Sequence, residues 1–376
     1  MQFVVLGNPA NRRCTLFCAA VEAAGLPPPR VVSWAEHLRG GDALERALSP
    51  GAVLRIESPG EDAEVERLLL LRGVDAEDPE GLGTQLSART LAELRDTRGR
   101  IRAPRQWYLG FSRALAELGE RIGERRVLTP PATIVELFDK ARSQRRLEEA
   151  GVPVPEILPA SPRSFAGLRA ALETASWGRV FVKLRYGSSA SGVVALAVHG
   201  ERCVATTSAE LVRGESGVEL YNSLRVRRYT DPADVGAVLD ALCAEGVHVE
   251  RWVPKASLGG PFDLRVLAVG GVPRHAVVRV GRTTLTNLHL GNARGDLGRL
   301  QARLGEAGWE RLRETVAAAA GVYADALHLG VDVAVAQGFK RCFVLELNAF
   351  GDLLPGLEVD GRDTYAAEVA AALERF

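Results

Sequence analysis

The chain has 376 residues, which is long for one ordinary domain and predicts two or three. Lys plus Arg and Asp plus Glu both number 47, so no net basic field favours nucleic acid as a partner. No apolar run approaches the roughly 20 residues of a membrane helix, and the first residues lack the basic region of a signal peptide. We therefore expect a cytoplasmic protein with no membrane partner.

The N-terminal residues alternate between short apolar runs and a helical pattern. Strands are predicted at residues 2–7, 31–33 and 52–56, with a helix at 14–24. This alternation is typical of a parallel, Rossmann-like sheet, in which ligands bind beyond the carboxyl ends of the strands. That rule groups several residues near a candidate site: Asn8, Asn11, Arg12 and residues 55–60. Each one alone is more typical of a turn residue or a surface charge, but the set as a whole favours a site.

Residues 61–126 are rich in Leu, Ala, Arg and Glu and are predicted to be largely helical. The Thr-Pro-Pro sequence at 129–131 indicates a boundary, so the first domain is predicted to span residues 1–128. Helices then follow at 134–150, 232–245, 297–304 and 310–327. Strands are predicted at 180–184, 193–198, 203–212, 219–228, 247–253, 264–269, 275–280, 330–335 and 342–348. We expect two further domains, 129–248 and 249–376.

Almost all basic residues are arginine. The chain contains only the four lysines Lys140, Lys183, Lys255 and Lys340. A chain with this bias keeps lysine by chance or where a compact ammonium group matters.

Lys183 lies in a strand that leads into a Gly/Ser loop, residues 187–192, within the sequence VFVKLRYGSSASGVV. Small residues let backbone N–H groups approach phosphate oxygens, and the lysine adds a positive charge. No GKS or GKT sequence follows, so this is not a Walker P-loop. Alone, the segment is equally typical of a hairpin turn.

Two neighbouring predicted strands carry isolated polar residues, Asp332 in VDVAV and Glu346 with Asn348 in FVLELNAF. Their carboxylate and amide oxygens suit Mg²⁺, and a partly exposed strand face is the alternative. Strand alternation puts Glu346 and Asn348 on one face and three apolar residues on the other, Phe343, Leu345 and Leu347.

A direct pairing of Asp332 with Glu346 requires an odd number of residues between the two strands. We predict a connection of five residues, 337–341. A connection of four would pair Asp332 with Leu345 unless a bulge intervened.

Taken in order, these motifs resemble the ATP-grasp superfamily. The main elements are Lys183 with its loop, VERWV at 249–253, and Asp332 with the Glu-Leu-Asn sequence at 346–348. Three further segments resemble the glutathione-synthetase and ribosomal-protein-modification branch of carboxylate–amine ligases: Phe138-Asp139-Lys140, Asp263-Leu264-Arg265 and Asn287-Leu288-His289. The resemblance covers about residues 129–360. It implies α/β and α+β architecture, with a Rossmann-like pre-ATP-grasp domain before a two-subdomain ATP-grasp fold.

The resemblance also implies residue roles for ATP and Mg²⁺. Phosphates would be held by Lys140, Lys183 and a loop that includes Gly187, Ser188, Ser189, Ser191 and Gly192. The remaining nucleotide contacts would be Glu250 with the adenine amino group, the hinge Arg251, Trp252 and Val253, Asp263 near the ribose, and Asn287 near nucleotide or metal. Asp332, Glu346 and Asn348 would bind Mg²⁺, with Glu346 bridging two ions. Catalytic roles would fall to Lys183, Arg265, His289 and Asp352.

The implied reaction joins a carboxylate to an amine or thiol through an acyl phosphate, with small-molecule or peptide substrates. A phosphotransferase and a non-catalytic nucleotide-binding protein are the alternatives, because the same residues would serve them. Departures from the family pattern cluster on the acceptor side, so substrate identity does not carry over. They are Leu285 and Leu290 in place of arginines, residues 199–230 and residues 349–356, with Arg279, Arg282 and Arg294 as potential compensating arginines.

Overall fold

The computed structural model describes residues 1–78, 80–93, 99–187, 191–214, 217–351 and 354–376. These residues form one parallel and two antiparallel β-sheets with helices packed against them. The mixed architecture confirms the predicted fold class. No helix in the described ranges has the length and apolar character needed to cross a membrane.

The N-terminal sheet is parallel, as predicted, with strand order β2-β1-β3-β4. Its strands are β1 (Phe3–Gly7), β2 (Arg30–Ser33), β3 (Val53–Ile56) and β4 (Arg126–Val127). The helices of this region are α1 (Arg12–Ala23), α2 (Trp34–Leu38), α3 (Ala43–Ala47), α4 (Ala63–Arg72), α5 (Ala88–Ala92) and α6 (Pro104–Ile122). The helical prediction for 61–126 was too broad, because the described residues between α4 and α5 are not helical.

The central sheet is antiparallel, with strand order β8-β7-β6-β5-β9. Its strands are β5 (Arg179–Leu184), β6 (Val194–His199), β7 (Arg202–Gly214), β8 (Gly217–Tyr229) and β9 (Val247–Arg251). The helices beside it are α7 (Pro131–Phe138), α8 (Lys140–Glu149), α9 (Phe165–Ala175) and α10 (Pro232–Ala244). One sheet face buries Val182 and Val249 against Leu168 of α9 and Leu239 of α10, which leaves the other face for polar residues.

The single helix predicted at 134–150 is two helices. Asp139 lies between α7 and α8 with extended backbone (φ −89°, ψ 95°), and its side chain accepts a hydrogen bond from the N–H of Arg142. Asp is favoured at such an N-cap because its carboxylate satisfies an otherwise unpaired helix N–H group. The break makes Lys140 the first residue of α8.

The C-terminal sheet is also antiparallel, with strand order β12-β11-β10-β13-β14. Its strands are β10 (Phe262–Val269), β11 (Val272–Val280), β12 (Ala293–Arg294), β13 (His328–Val335) and β14 (Cys342–Asn348). Helix α11 (Leu297–Val322) covers the apolar face, and it is kinked at Gly305 (φ 68°), between the two helices predicted here. Helix α12 (Thr364–Arg375) returns to the N-terminal sheet, where Tyr365 and Val369 join its core.

A β-bulge sets the register of β13 and β14. Ala336 donates its N–H to the carbonyl of Arg341 at 2.9 Å, so residues 337–340 form a four-residue connection rather than the predicted five. The register then shifts next to Asp332, and Asp332 pairs directly with Glu346. The predicted pairing is therefore confirmed, but the bulge and not the loop length produces it.

The bulge also corrects the predicted faces of β14. Val344 and Leu347 are buried in the core cluster that includes α11, whereas Leu345 faces the opposite side together with Glu346. Simple alternation fails here because the bulge adds one residue to β14, so the residues on either side of the bulge no longer follow one alternating pattern.

Candidate active site

A cleft lies between the polar face of the central sheet and the C-terminal sheet. It contains about 660 Å³ of empty space, part of which is open to solvent. Eight of the predicted site residues line it: Lys183, Glu250, Arg251, Val253, Asp263, Asn287, Asp332 and Glu346.

Lys183 and Glu250 form a buried ion pair on the central sheet. The β5–β9 register places Lys183 opposite His248 and Phe181 opposite Glu250, so these side chains share one face. Lys183 Nζ lies 2.5 Å from Glu250 Oε1, and Glu250 is only 2% exposed. Glu250 Oε2 has no hydrogen-bond partner among the described residues. A buried carboxylate oxygen left unpaired is costly, so this atom is suited to accept a hydrogen bond from a ligand.

His248 lies behind this pair as a neutral side chain. Burial lowers the pKa of His248 well below its ordinary value, and the positive charges of Lys183 and Lys140 lower it further. Its Nε2 lies 2.5 Å from Gln144 Oε1, which can only accept a hydrogen bond. His248 was not predicted as a site residue, and its position is a consequence of strand pairing alone.

Lys140, at the start of α8, contacts the C-terminal sheet beside the cleft without being one of the lining residues. Its Nζ lies 2.9 Å from Glu346 Oε1 and also donates a hydrogen bond to the carbonyl of Gly187. Lys183 Nζ approaches the same strand and lies 3.4 Å from the carbonyl of Leu345. The two lysines predicted to hold phosphates therefore converge on β14.

Asp332 is held by two arginines. Arg265 contacts both of its carboxylate oxygens, with Nη2 lying 3.1 Å from Oδ2, and Arg279 Nη2 lies 3.1 Å from Oδ1. Burial alone would raise the pKa of Asp332, but the charges of Arg265 and Arg279 outweigh burial and lower it. Arg265 does not line the cleft, whereas Arg279 does.

Asp263 belongs to a second buried network in the cleft wall. Lys255 Nζ lies 2.9 Å from Asp263 Oδ2 and 2.8 Å from Thr286 Oγ1, and Arg279 Nε lies 2.7 Å from Asp263 Oδ1. Despite burial, Arg279 and Lys255 hold the pKa of Asp263 well below its usual range. Both carboxylate oxygens thus accept bonds from the protein, which gives Asp263 a part in anchoring the loop at Thr286.

Lys255 was not predicted as a site residue. The signal that could have identified it is the scarcity of lysine, because Lys140, Lys183 and Lys255 all lie at the cleft. Lys340, the remaining lysine, is exposed in the turn between β13 and β14.

One wall of the cleft is apolar. Leu285 and Leu290 line it together with Phe181, whose ring centroid lies 5.1 Å from that of Trp252. These are two positions at which the sequence departs from the family that it resembles, and both lie at the cleft. Trp252 supports the wall from behind, because it packs on Phe181 without lining the cleft.

Several predicted residues lie beside the cleft and not in its lining. His289 is exposed in a 3₁₀ turn at Leu288–Leu290, and Asn348 Nδ2 donates to the carbonyl of Gly330 at 3.3 Å. Gly187, Ser191 and Gly192 flank the lysines in the loop after β5. Gly192 has φ 64° and a Cβ there would lie 2.7 Å from Leu184 Cδ1, so this position requires glycine. Ser188, Ser189 and Asp352 lie outside the described residues.

The donor set fits Mg²⁺ only in part. Asp332 and Glu346 face each other across two strands, with Asn348 further along β14. Within the described ranges no three His, Cys, Asp or Glu side chains form a metal-binding group. Because Mg²⁺ is commonly bound by one or two carboxylates plus phosphate oxygens and water, this set fits a metal that arrives with a phosphorylated ligand.

The residues at the strand ends of the N-terminal sheet have structural partners. Arg55 is fully buried and forms ion pairs with Glu57 and Glu368. Asn8 Nδ2 donates to the carbonyls of Pro59 and Gly60 at 3.0 and 2.9 Å. The strand-end rule therefore located polar residues that, on these contacts, stabilise the fold.

Comparison with solved structures finds this fold in other proteins, among them structures described as ATP-grasp ligases. No family model and no curated protein sequence matches the chain. A crystal structure of a D-cycloserine synthetase aligns over 100% of this chain and 99% of its own, with a TM-score of 0.56 and 16% identity. At such identity the likeness establishes the fold alone, and it extends over the N-terminal sheet.

Two further structures with this fold were solved with a bound precursor. The ATP-grasp ligase PsnB, solved with a minimal precursor, Mg and ADP, has a TM-score of 0.54 and 15% identity, with coverage of 98% of this chain and 96% of its own. The macrocyclase MdnC, bound with precursor peptide MdnA from Microcystis aeruginosa MRC, has a TM-score of 0.54 and 11% identity, with full coverage of both chains. The specific branch predicted from the sequence is not distinguished by these likenesses.

Proposed function

We propose that the chain is an ATP- and Mg²⁺-dependent ligase that joins a carboxylate to an amine or thiol and releases ADP and phosphate. The observation that carries this proposal is the convergence of Lys140 and Lys183 on β14, beside Glu346, in a fold shared with ATP-grasp ligases. Two ammonium groups and a carboxylate from separate elements form a site for a phosphate–metal complex.

The base of the nucleotide would lie between the apolar wall and the hinge. Phe181, Leu285 and Leu290 supply apolar surface, and Glu250 Oε2 is an unpaired acceptor for the adenine amino group. The backbone of residues 251–253 follows directly after β9 at the edge of the cleft. This arrangement favours a base that carries an exocyclic amino group.

The phosphates would bind Lys140, Lys183 and the loop after β5. When bound, Mg²⁺ would polarise the phosphate oxygens, with Glu346 as its main protein ligand and Asp332 and Asn348 nearby. A second Mg²⁺ would also have Glu346 as a ligand. Asp332 is the weaker candidate ligand, because Arg265 and Arg279 already donate to its oxygens.

In the proposed reaction the substrate carboxylate attacks the terminal phosphorus of ATP, and ADP leaves as an acyl phosphate forms. An amine or thiol then attacks the acyl carbon, and inorganic phosphate leaves. Arg279 lines the cleft and would stabilise charge on the transferring phosphoryl group, with Arg265 orienting Asp332 behind it. Asn287 would contact nucleotide or metal, and His289 and Asp352 are proposed on the acceptor side.

The acceptor class is drawn from the same fold comparison. PsnB and MdnC were solved with peptide precursors and the D-cycloserine synthetase makes a small molecule, so carboxylates and amines of peptides and of small molecules are both candidates. The proposed assignment of this chain to the glutathione-synthetase and ribosomal-protein-modification branch is based on the sequence motifs alone. We also propose domain boundaries between residues 128 and 129 and between residues 248 and 249. The proposed location is the cytoplasm.

The test is calorimetric titration of a non-hydrolysable ATP analogue in the presence of Mg²⁺. We expect metal-dependent binding to the wild-type chain and its loss in Lys183→Ala and Glu346→Ala. Lys340→Ala is the matched control, because this exposed lysine lies away from the cleft, and it should bind like wild type. A wild-type chain that does not bind the analogue would refute the proposal. If the wild-type chain binds the analogue, carboxylate–amine pairs would be screened for release of ADP and phosphate. A ligase would release both, whereas a phosphotransferase would release no phosphate.

A further inference from the structure

Lys140 and the proposed metal compete for one carboxylate oxygen. Lys140 Nζ lies 2.9 Å from Glu346 Oε1, which is normal hydrogen-bond distance for an ammonium and a carboxylate. The two side chains are 12% and 29% exposed, so water screens their attraction less than in a surface pair. A cation bound to Glu346 Oε1 would lie next to this ammonium and be repelled by it.

The same ammonium has a second interaction that identifies where it would move. Lys140 Nζ also donates to the carbonyl of Gly187, at the start of the Gly/Ser loop. A phosphate group bound near that loop would offer Lys140 a full negative charge in place of the pair with Glu346. Such an exchange would pair Lys140 with phosphate and leave Glu346 available to a metal.

We propose that Lys140 holds Glu346 in place of the metal, and that nucleotide phosphate releases Glu346 by taking over Lys140, so that metal and nucleotide bind cooperatively. This inference rests on the proposed function, because it assigns nucleotide and metal to the same cleft. Cooperativity of this kind is reciprocal: each ligand raises the affinity for the other by the same factor. Free metal alone therefore binds weakly, and Lys140 is the reason.

The experiment measures binding of Mn²⁺ alone, without nucleotide, from the electron paramagnetic resonance signal of the free ion. Lys140→Gln removes the competing charge and should tighten Mn²⁺ binding by about fivefold to tenfold relative to wild type. Lys140→Arg keeps the charge and should bind Mn²⁺ as weakly as wild type. Lys340→Gln, which removes an exposed lysine, should also match wild type.

The gain in Mn²⁺ affinity must pass through Glu346. In a double-mutant cycle, Lys140→Gln should therefore give no gain when Glu346→Gln is already present. Equal Mn²⁺ affinity of wild type and folded Lys140→Gln would overturn the inference, and so would a gain that persists in the double variant. Failure of this inference remains distinct from failure of the proposed function, because the wild-type titration with Mg²⁺ and the ATP analogue tests only the latter.

Discussion

In the described part of this chain, arginine–carboxylate clusters are buried both at the N-terminal sheet and at the cleft, and these two clusters differ in their access to open space. At the N-terminal sheet, the Arg55, Glu57 and Glu368 side chains are at most 1% exposed, and Arg55 lies 4.3 Å from the ring centroid of Phe17. At the cleft, Asp332 and Arg279 are also mostly buried, but they line open space opposite Lys183. Buried charge alone therefore does not mark a site. Open space next to the buried charges distinguishes the cleft.

The largest expected effect is on the N-terminal cluster and should change stability alone. Arg55→Leu leaves Glu57 and Glu368 buried without their cation, and we expect the free energy of unfolding to fall by about 3–5 kcal/mol. Urea denaturation measures this loss. Arg12→Ala, at an exposed position of α1, is the control and should change stability by less than about 0.5 kcal/mol. Where folded Arg55→Leu can be assayed, its nucleotide affinity should equal that of wild type, and a large loss of affinity would remove the distinction between the regions.

The next largest effect is expected from a substitution in the cleft, which should lower the affinity for the ATP analogue. Lys183→Met removes a charge-assisted bond to phosphate, which is worth about 1.5–3 kcal/mol, so affinity for the ATP analogue should fall by roughly 10- to 150-fold. Calorimetry at fixed Mg²⁺ gives this number. Unchanged affinity in the folded variant would show that phosphate binds elsewhere.

A pH dependence of stability is expected from two buried histidines that are not in the lining of the cleft, His37 and His328. Burial lowers the pKa of His328 to about 3 and that of His37 to about 4, so both stay neutral in the folded protein. The unfolded chain binds protons near pH 6.5, and each of these histidines therefore costs stability as pH falls below that value, by about 1.4 kcal/mol per pH unit. This loss continues towards the folded pKa.

The measurement is the unfolding free energy between pH 7 and 5. Replacing a buried histidine by a residue that does not titrate should make the unfolding free energy depend less steeply on pH. His37→Gln should reduce that slope by the contribution of one proton. His199→Gln, at an exposed position, is the control and should leave the slope as in wild type. An identical slope in wild type and His37→Gln would contradict the buried, neutral assignment.

A smaller effect on the free energy of unfolding is expected at Lys255, which lines the cleft and also stabilises the loop at Thr286. Lys255→Met leaves Asp263 with Arg279 but removes the bonds to Thr286 and the carbonyl of Thr284. We expect a loss of about 1–3 kcal/mol in unfolding free energy, measured by urea denaturation. Lys255→Arg keeps the charge, and it should recover part of that loss. No destabilisation in Lys255→Met would show that Lys255 does not anchor the loop.

The sequence predicted much of the fold because its patterns are local. Strand alternation identified β5 to β9 closely, and the parallel N-terminal sheet followed from strand–helix–strand order. The break at Asp139 and the bulge beside Asp332 were not predicted, because both depend on contacts made in the folded chain. Asp139 pairs with Arg185, the residue directly after β5, at 2.6 Å, and no pattern within residues 134–150 reveals this contact.

For the candidate site, residues that belong to a sequence motif were predicted, whereas a residue whose role depends on a distant partner was missed. Lys140 and Lys183 were singled out by their motifs and by the scarcity of lysine, and both lie at the cleft. Lys255 was missed because its role depends on Thr286, 31 residues later in the chain. Of the three arginines considered as compensating, Arg279 is the one found in the lining of this cleft, and its compensating role stays a prediction.

The central claim is that nucleotide binds in the cleft and not at the strand ends of the N-terminal sheet. Photolabelling with 8-azido-ATP, followed by peptide mapping, tests it most directly. We predict Mg²⁺-dependent label on the peptides that carry residues 250–253 or Leu285, and its suppression by excess ATP. Label confined to residues 53–60, or label that ATP does not suppress, would contradict the account.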